Sequence, residues 1–244
     1  MGERMNLRQS VLALLLWLLL WQLISISVNN TILLAGPRET AEALLRLFGS
    51  SAYWSSVLHS LLRILGGFLA GGLLGVLLAA AAYSNQGLRI ILSPFVASIR
   101  AIPVVSFVIL LLIWSGSGGV AFWISAVVSF PVLYLNSLAG LMSTEHTLIE
   151  VTELFQLRLR DRISALYLPQ LKPFLRGALS IAAGMSFKAG VAAEVIGQPL
   201  LSIGNGMYRA KIYLETAELF AWTLTVVLLS WLLERMLLLL LRKC

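Results

Sequence analysis

The sequence predicts an all-α, polytopic membrane protein with six transmembrane helices and both termini on the same side of the bilayer. Three observations carry this. The 244 residues are 59% hydrophobic and only 12% charged, whereas soluble domains carry about 25% charged residues. The apolar residues fall into six long runs separated by short polar segments. The basic residues also segregate. Of 18 Lys and Arg, ten (Arg4, Arg8, Arg89, Arg158, Arg160, Arg162, Lys172, Arg176, Arg242, Lys243) flank one side of those runs. Four (Arg38, Arg46, Arg209, Lys211) flank the other, and Arg63, Arg100, Lys188 and Arg235 fall inside runs. Positive residues collect in the cytoplasm, so the topology is N-in, C-in. The net charge of +7 is then a feature of cytoplasmic segments, and no basic soluble domain exists to hold nucleic acid. The single cysteine, Cys244, excludes an intrachain disulfide and a cysteine metal site. His59 and His146 are too isolated to hold a metal.

The first run, Val11 to Val28, carries no charge and reaches about 27 Å as a helix, enough for a thin span. A basic start before a Leu-rich run also fits a signal peptide, but no small-x-small site follows, which favours an uncleaved helix. After a turn at Gly36-Pro37, the apolar residues Ala41, Leu44, Leu45 and Phe48 recur at helical spacing, the pattern of a short interfacial helix. Val57 to Tyr83 is the second span. Gly67, Gly71 and Gly75 fall on one face there, with Gly66 and Gly72 beside it, a spacing that lets helix backbones approach closely. The third span, Ile90 to Trp114, is kinked by Pro94 and Pro103. A tight turn at Ser115 to Gly119 leads to the fourth, Val120 to Met142, bent near Pro131. The fifth runs from about Phe174 to Ile196. A loop with Pro199, Gly204 and Gly206 covers 197–216, and Ala217 to Leu241 is the sixth span.

Between the fourth and fifth spans lies a polar island, Glu145 to Arg176. Charge this dense cannot lie in hydrocarbon, so the island is cytoplasmic. His146 to Phe155 has apolar residues at Leu148, Val151, Leu154 and Phe155, a helical period. Ser143 or Thr144 is placed to cap that helix, with Glu145 near its positive end. Arg158 to Tyr167 can form a second short helix, ended by Pro169. Two short helices across a membrane face make a docking surface.

The island's spacing resembles the signature of permease subunits of ABC importers, the binding-protein-dependent transport inner membrane family: Glu-Ala-Ala, three residues, Gly, nine residues, Ile-x-Leu-Pro. Glu150 stands at the opening Glu and Leu168-Pro169 at the close, with Leu166 where Ile is usual. Val151 and Thr152 replace the two alanines, and Gln156 replaces the glycine. Other stretches are similar, in matching order, to the nitrate/sulfonate/taurine-type branch: Ser60 to Arg63 with Gly67, Phe68 and Gly75; Pro94, Arg100 to Pro103 and Ile113 to Gly118; Phe130-Pro131 and Asn136 to Leu141; and Gly190 to Gly197, which contains Glu194.

The resemblance implies a type I ABC importer permease fold, a single transmembrane domain over 1–244 with a coupling-helix loop at 143–173. It implies that Glu150, Val151, Thr152, Glu153, Gln156, Leu168 and Pro169 couple to a separate ABC ATPase dimer. It also implies a second permease copy, a substrate-binding protein outside, and a small cargo such as a sulfonate, taurine, nitrate or a pyrimidine-type precursor. The chain has no Gly-x-x-x-x-Gly-Lys-Ser/Thr phosphate loop; ATP is bound by the partner, and no cofactor or catalytic residue is expected here.

Arg63, Arg100, Lys188 and Glu194 lie at membrane depth, where ionisable residues mark a pathway or pair across helices. Lys188 and Glu194 are about 240° apart around a helix, so they do not form a same-face pair. Arg63 reads as a structural partner, with His59 one turn away; Lys188 and Glu194 are open to either role. Arg235, beside Glu234, reads as snorkelling to the interface. The competing reading is a self-contained secondary transporter or channel with a charge relay at Lys188 and Glu194. A membrane scaffold without solute flux is the third.

Overall fold

The computed structural model describes residues 7–243. Arg4 and Cys244 lie outside the described residues, as do the side chains of Arg8, Arg242 and Lys243. Among the described residues there are helices and no strands. They are α1 (Leu7–Val28), α2 (Pro37–Phe48), α3 (Ser51–Ser84), α4 (Gln86–Ala101), α5 (Val104–Met142), α6 (His146–Leu154), α7 (Leu159–Arg162), a π-helical turn (Ile163–Tyr167), α8 (Leu168–Gly197), α9 (Ile203–Ile212) and α10 (Thr216–Lys243).

Among the described residues five helical stretches are long and apolar enough to cross a membrane: those of α1, α3, α5, α7 through α8, and α10. The expected third span is divided. Pro103 has no amide hydrogen and biases the preceding residue away from helix; Ile102 is extended (φ −75°, ψ 130°). α4 therefore ends at Ala101 and α5 begins at Val104. α5 itself reverses at Gly116 (φ 67°, ψ −179°), a conformation open to glycine alone. A straight helix would hold Val108 about 24 Å from Ile124; instead the two share one buried cluster with Val120 and Ala193. The limb before Gly116 thus folds back along the limb after it, as the expected turn at Ser115 to Gly119 requires. α4 packs at the other end of the bundle, where Val96 meets Ala79, Ala82, Phe130, Tyr134 and Leu138.

The centre is α3 against the long limb of α5, with α8 behind them. Gly67 lies against the Phe122 backbone, Gly71 against Ala126 and Ser129, and Gly75 against Phe130 and Tyr134. A side chain at any of these would push the two backbones apart. Ser125 Oγ donates to the Ile64 carbonyl at 2.7 Å and Ser186 Oγ to the Ser125 carbonyl at 3.3 Å, so hydroxyls join α3, α5 and α8. Phe187, Ile64, Val191, Ile203 and Trp222 complete a second buried cluster across α3, α8, α9 and α10. α1 is held near its end: Trp21 Nε1 donates to the Ala35 carbonyl at 3.0 Å, Ser25 Oγ to that of Leu34 at 3.1 Å, and Trp21 packs on Phe220. The rest of α1 presents exposed Leu, Ile and Val on all sides, the surface a helix offers to lipid.

Four local expectations are corrected. The stretch 197–216 is not simply a loop, since it contains α9. Gly204 and Gly206 suggested irregular chain, but they serve contact: Gly204 lies on the α8 backbone at Glu194 and Val195, and Gly206 on the Trp222 ring. Pro169 does not end a helix; it sits in the first turn of α8, where its missing amide costs little. The π-helical turn just before it widens the backbone ahead of the proline ring. The fifth span consequently has no separate start at Phe174, and helix continues from Leu159 to Gly197. Finally, neither Ser143 nor Thr144 caps α6. Ser143 closes α5, its Oγ donating to the Gly140 carbonyl at 2.8 Å, and Glu145 occupies the N-cap position of α6 without a side-chain bond.

Candidate functional sites

Two places gather the candidate residues. The first is the α6–α7 hairpin. α6 begins at its N-cap Glu145 (φ −63°, ψ 134°) and ends in a left-handed residue, Gln156 (φ 49°). Gln156 N–H donates to the Glu153 carbonyl at 2.9 Å and Leu157 N–H to that of Thr152 at 3.0 Å. These two bonds are a Schellman closure, which satisfies the last carbonyls of a helix and is usually made with glycine at the left-handed position. Gln156 thus makes the turn that the signature's glycine would make, at a steric cost of about 1 kcal/mol.

Around that turn, Arg162 Nη2 donates to Glu153 Oε1 at 2.7 Å and ties α7 to α6. Thr152 is buried, its Oγ1 donating to the Ile149 carbonyl at 2.7 Å. Glu150 is exposed and, among the described residues, meets only His146, one turn earlier, at 3.0 Å. Beside it Val151, Leu154, Phe155 and Leu159 are all exposed, Leu154 to 80%. Leu168 and Pro169 close the hairpin at the start of α8 and are exposed, while Leu166 is buried. The hairpin is held from within and presents an apolar surface with a carboxylate on it.

The second place is Glu194. Its side chain is fully buried. Oε2 accepts from Ser60 Oγ at 2.7 Å and from Gly204 N–H at 3.3 Å, and Oε1 lies 3.9 Å from Arg63 Nη1. Ser60 Oγ accepts in turn from Ile203 N–H at 2.9 Å. Arg63 also donates to the carbonyls of Leu201 (3.4 Å) and Leu200 (3.5 Å). The α9 N-terminus, capped by Ser202 Oγ accepting from Asn205 N–H at 3.0 Å, points its positive end at this carboxylate. Glu194 therefore fastens α8 to α3 and to α9. Arg63 does not pair with His59, whose Nδ1 is 2.7 Å from the Ser55 carbonyl oxygen. The difference has a simple cause: the turn between α8 and α9 brings the Leu200 and Leu201 carbonyls to Arg63, α8 brings Glu194, and α9, which closes this turn, was read as loop. Ser202 before the Ile203, Met207, Ala210 period was the signal for it.

Lys188 is placed elsewhere. It lies on the exposed stripe of α8 with Ile181 and Met185, and reaches no hydrogen-bond or ion-pair partner among the described residues. Lys188 and Glu194 are thus not brought together. Arg100, on the last turn of α4, is likewise exposed and without a partner among them. Arg235 stacks over the Trp231 ring at 5.6 Å.

Comparison with known proteins identifies the family. The binding-protein-dependent transport system inner membrane component family matches residues 71–243. The chain is 25% identical to the riboflavin transport system permease protein RibX of Chloroflexus aurantiacus over 92% of its own length and 87% of that protein's. It is 24% identical to the taurine transport system permease protein TauC of Escherichia coli, over 96% and 86%. It is also 24% identical to the putative aliphatic sulfonates transport permease protein SsuC of Bacillus subtilis, over 83% and 74%. With its long apolar helices, the chain is a multi-pass inner-membrane protein and belongs to the binding-protein-dependent transport system inner membrane component family.

Proposed function

We propose that this ABC permease forms half of the translocation pathway of an ATP-driven importer, and that its cargo is a small anion of the sulfonate, taurine or nitrate kind. The observation that carries the reading is the α6–α7 hairpin. It is braced by Glu153–Arg162 and presents Glu150, which meets His146 of the same helix, beside the exposed Leu154 and Phe155. A short rigid helix seated in a moving ATPase transmits displacement to the spans attached to it, here α5 and α8. The basic residues of the hairpin support a cytoplasmic location, and an extracytoplasmic binding protein delivers cargo to the opposite face.

The pathway forms between two copies. Lys188 supports this, since a mid-span cation without a partner is too costly to face lipid; it faces water or a second subunit. The relatives named for taurine and aliphatic sulfonates fit a cationic pathway. A charge relay within a self-contained transporter is disfavoured, because Glu194 is consumed by Ser60, Gly204 and Arg63. The test is uptake of radiolabelled taurine and methanesulfonate by proteoliposomes holding the permease, its ATPase and its binding protein. Accumulation that requires ATP inside supports the importer. Accumulation that persists without ATP or ATPase would establish the competing transporter.

A further inference from the structure

One cleft of the bundle lies apart from both the hairpin and Glu194. It runs between α4 and the later limb of α5, with a volume of about 580 Å³. Arg89 and Arg100 both line it, joined by Ser93 and by Tyr134, Leu135 and Leu138 of α5. The helix period puts the α4 residues along one wall: positions 89, 93, 96 and 100 repeat on one face of α4. No carboxylate lines the cleft. Arg100 has no hydrogen-bond or ion-pair partner among the described residues, and Arg89 reaches only the Met142 sulfur at 3.5 Å. Tyr134 is 1% exposed, yet its hydroxyl has no hydrogen-bond partner among the described residues. Buried hydroxyls are normally satisfied, and a guanidinium at membrane depth is normally paired.

We propose that the α4–α5 cleft is a binding site for a single compact oxyanion, a phosphate or sulfonate group, held between Arg89 and Arg100 with the Tyr134 hydroxyl donating to it. Guanidinium forks match the oxygens of such groups, and the apolar wall of Leu135 and Leu138 accommodates an attached carbon chain. The same chemistry is offered by an anionic phospholipid headgroup and by a soluble sulfonate on its way through the protein. The site does not depend on ATPase docking, so it stands or falls separately from the importer reading.

The experiment uses the full chain with its ATPase in nanodiscs, and measures two probes. Phosphatidylglycerol, present at one lipid in five among phosphatidylcholine, is scored by native mass spectrometry as retained lipid; methanesulfonate is scored by saturation-transfer NMR. The expected result is that one probe binds the wild type. In the Arg89→Gln/Arg100→Gln double variant its affinity falls about tenfold or more, as expected for losing charge-assisted contacts. Tyr134→Phe gives a smaller fall, and Arg89→Lys/Arg100→Lys restores part of the loss. Retained phosphatidylglycerol identifies a lipid site and methanesulfonate saturation a transport site. Binding of neither probe, or equal binding by wild type and the Gln double variant, overturns the proposal. Normal ATP-driven uptake alongside that result would leave the importer reading intact.

Discussion

Gln156 and Glu194 show how single residues set this structure. Gln156 holds φ at 49° in a turn for which glycine is the unstrained residue. Gln156→Gly should therefore stabilise the end of α6 by about 1 kcal/mol, read as slower amide exchange over residues 151–157; unchanged or faster exchange would mean the turn is not strained. Glu194 is a buried charge whose partners are Ser60, Gly204 and Arg63. Glu194→Ala should cost about 3 kcal/mol by leaving the Ser60 and Gly204 donors unpaired and Arg63 without its carboxylate. Glu194→Gln should cost less, because an amide oxygen still accepts from Ser60. Thermal unfolding of the purified protein in detergent separates the two; equal losses would show that the hydrogen bonds contribute little.

At the scale of elements, the α3–α5 pair depends on absent side chains. A Cβ at Gly75 would come within 2.7 Å of the Phe130 carbonyl oxygen, and Gly71 is tighter against Ala126. Gly71→Leu should separate α3 from α5 and sharply reduce the yield of folded protein in size-exclusion chromatography, whereas Gly118→Ala, with nothing near it, should not. This face was legible in the sequence because a four-residue glycine repeat has one physical use in a membrane helix. So were α2, from Gly36-Pro37 and its apolar period, and α6, from Leu148, Val151 and Leu154. α9 was signalled by Ser202 and the Ile203, Met207, Ala210 period but masked, because Gly204 and Gly206 carry the same letters whether they loosen a loop or admit Glu194 and Trp222. The break at Ile102 was not legible, since a proline read as a kink and a proline read as a stop differ only in what neighbours supply. The site was half visible: the charges were located from sequence, but Arg63's true partner lies 131 residues away, beyond any local pattern.

For the whole molecule, the long apolar helices, the braced hairpin and the unpaired cations describe a chain made to be one part of a larger machine. Lys188 belongs to that scale, since it has no hydrogen-bond or ion-pair partner among the described residues. Lys188→Ala should lower ATP-driven uptake severalfold while the amount of chain in the membrane stays constant; normal uptake with less chain would assign it a structural role instead. If Glu150 and its apolar neighbours seat the hairpin in an ATPase, co-purification of that ATPase with the tagged permease reads the contact directly. For Glu150→Lys, about tenfold less ATPase should be recovered per permease, a loss the size of one charge-assisted contact, with membrane level and thermal stability unchanged. Undiminished recovery of the ATPase with Glu150→Lys would contradict that seating.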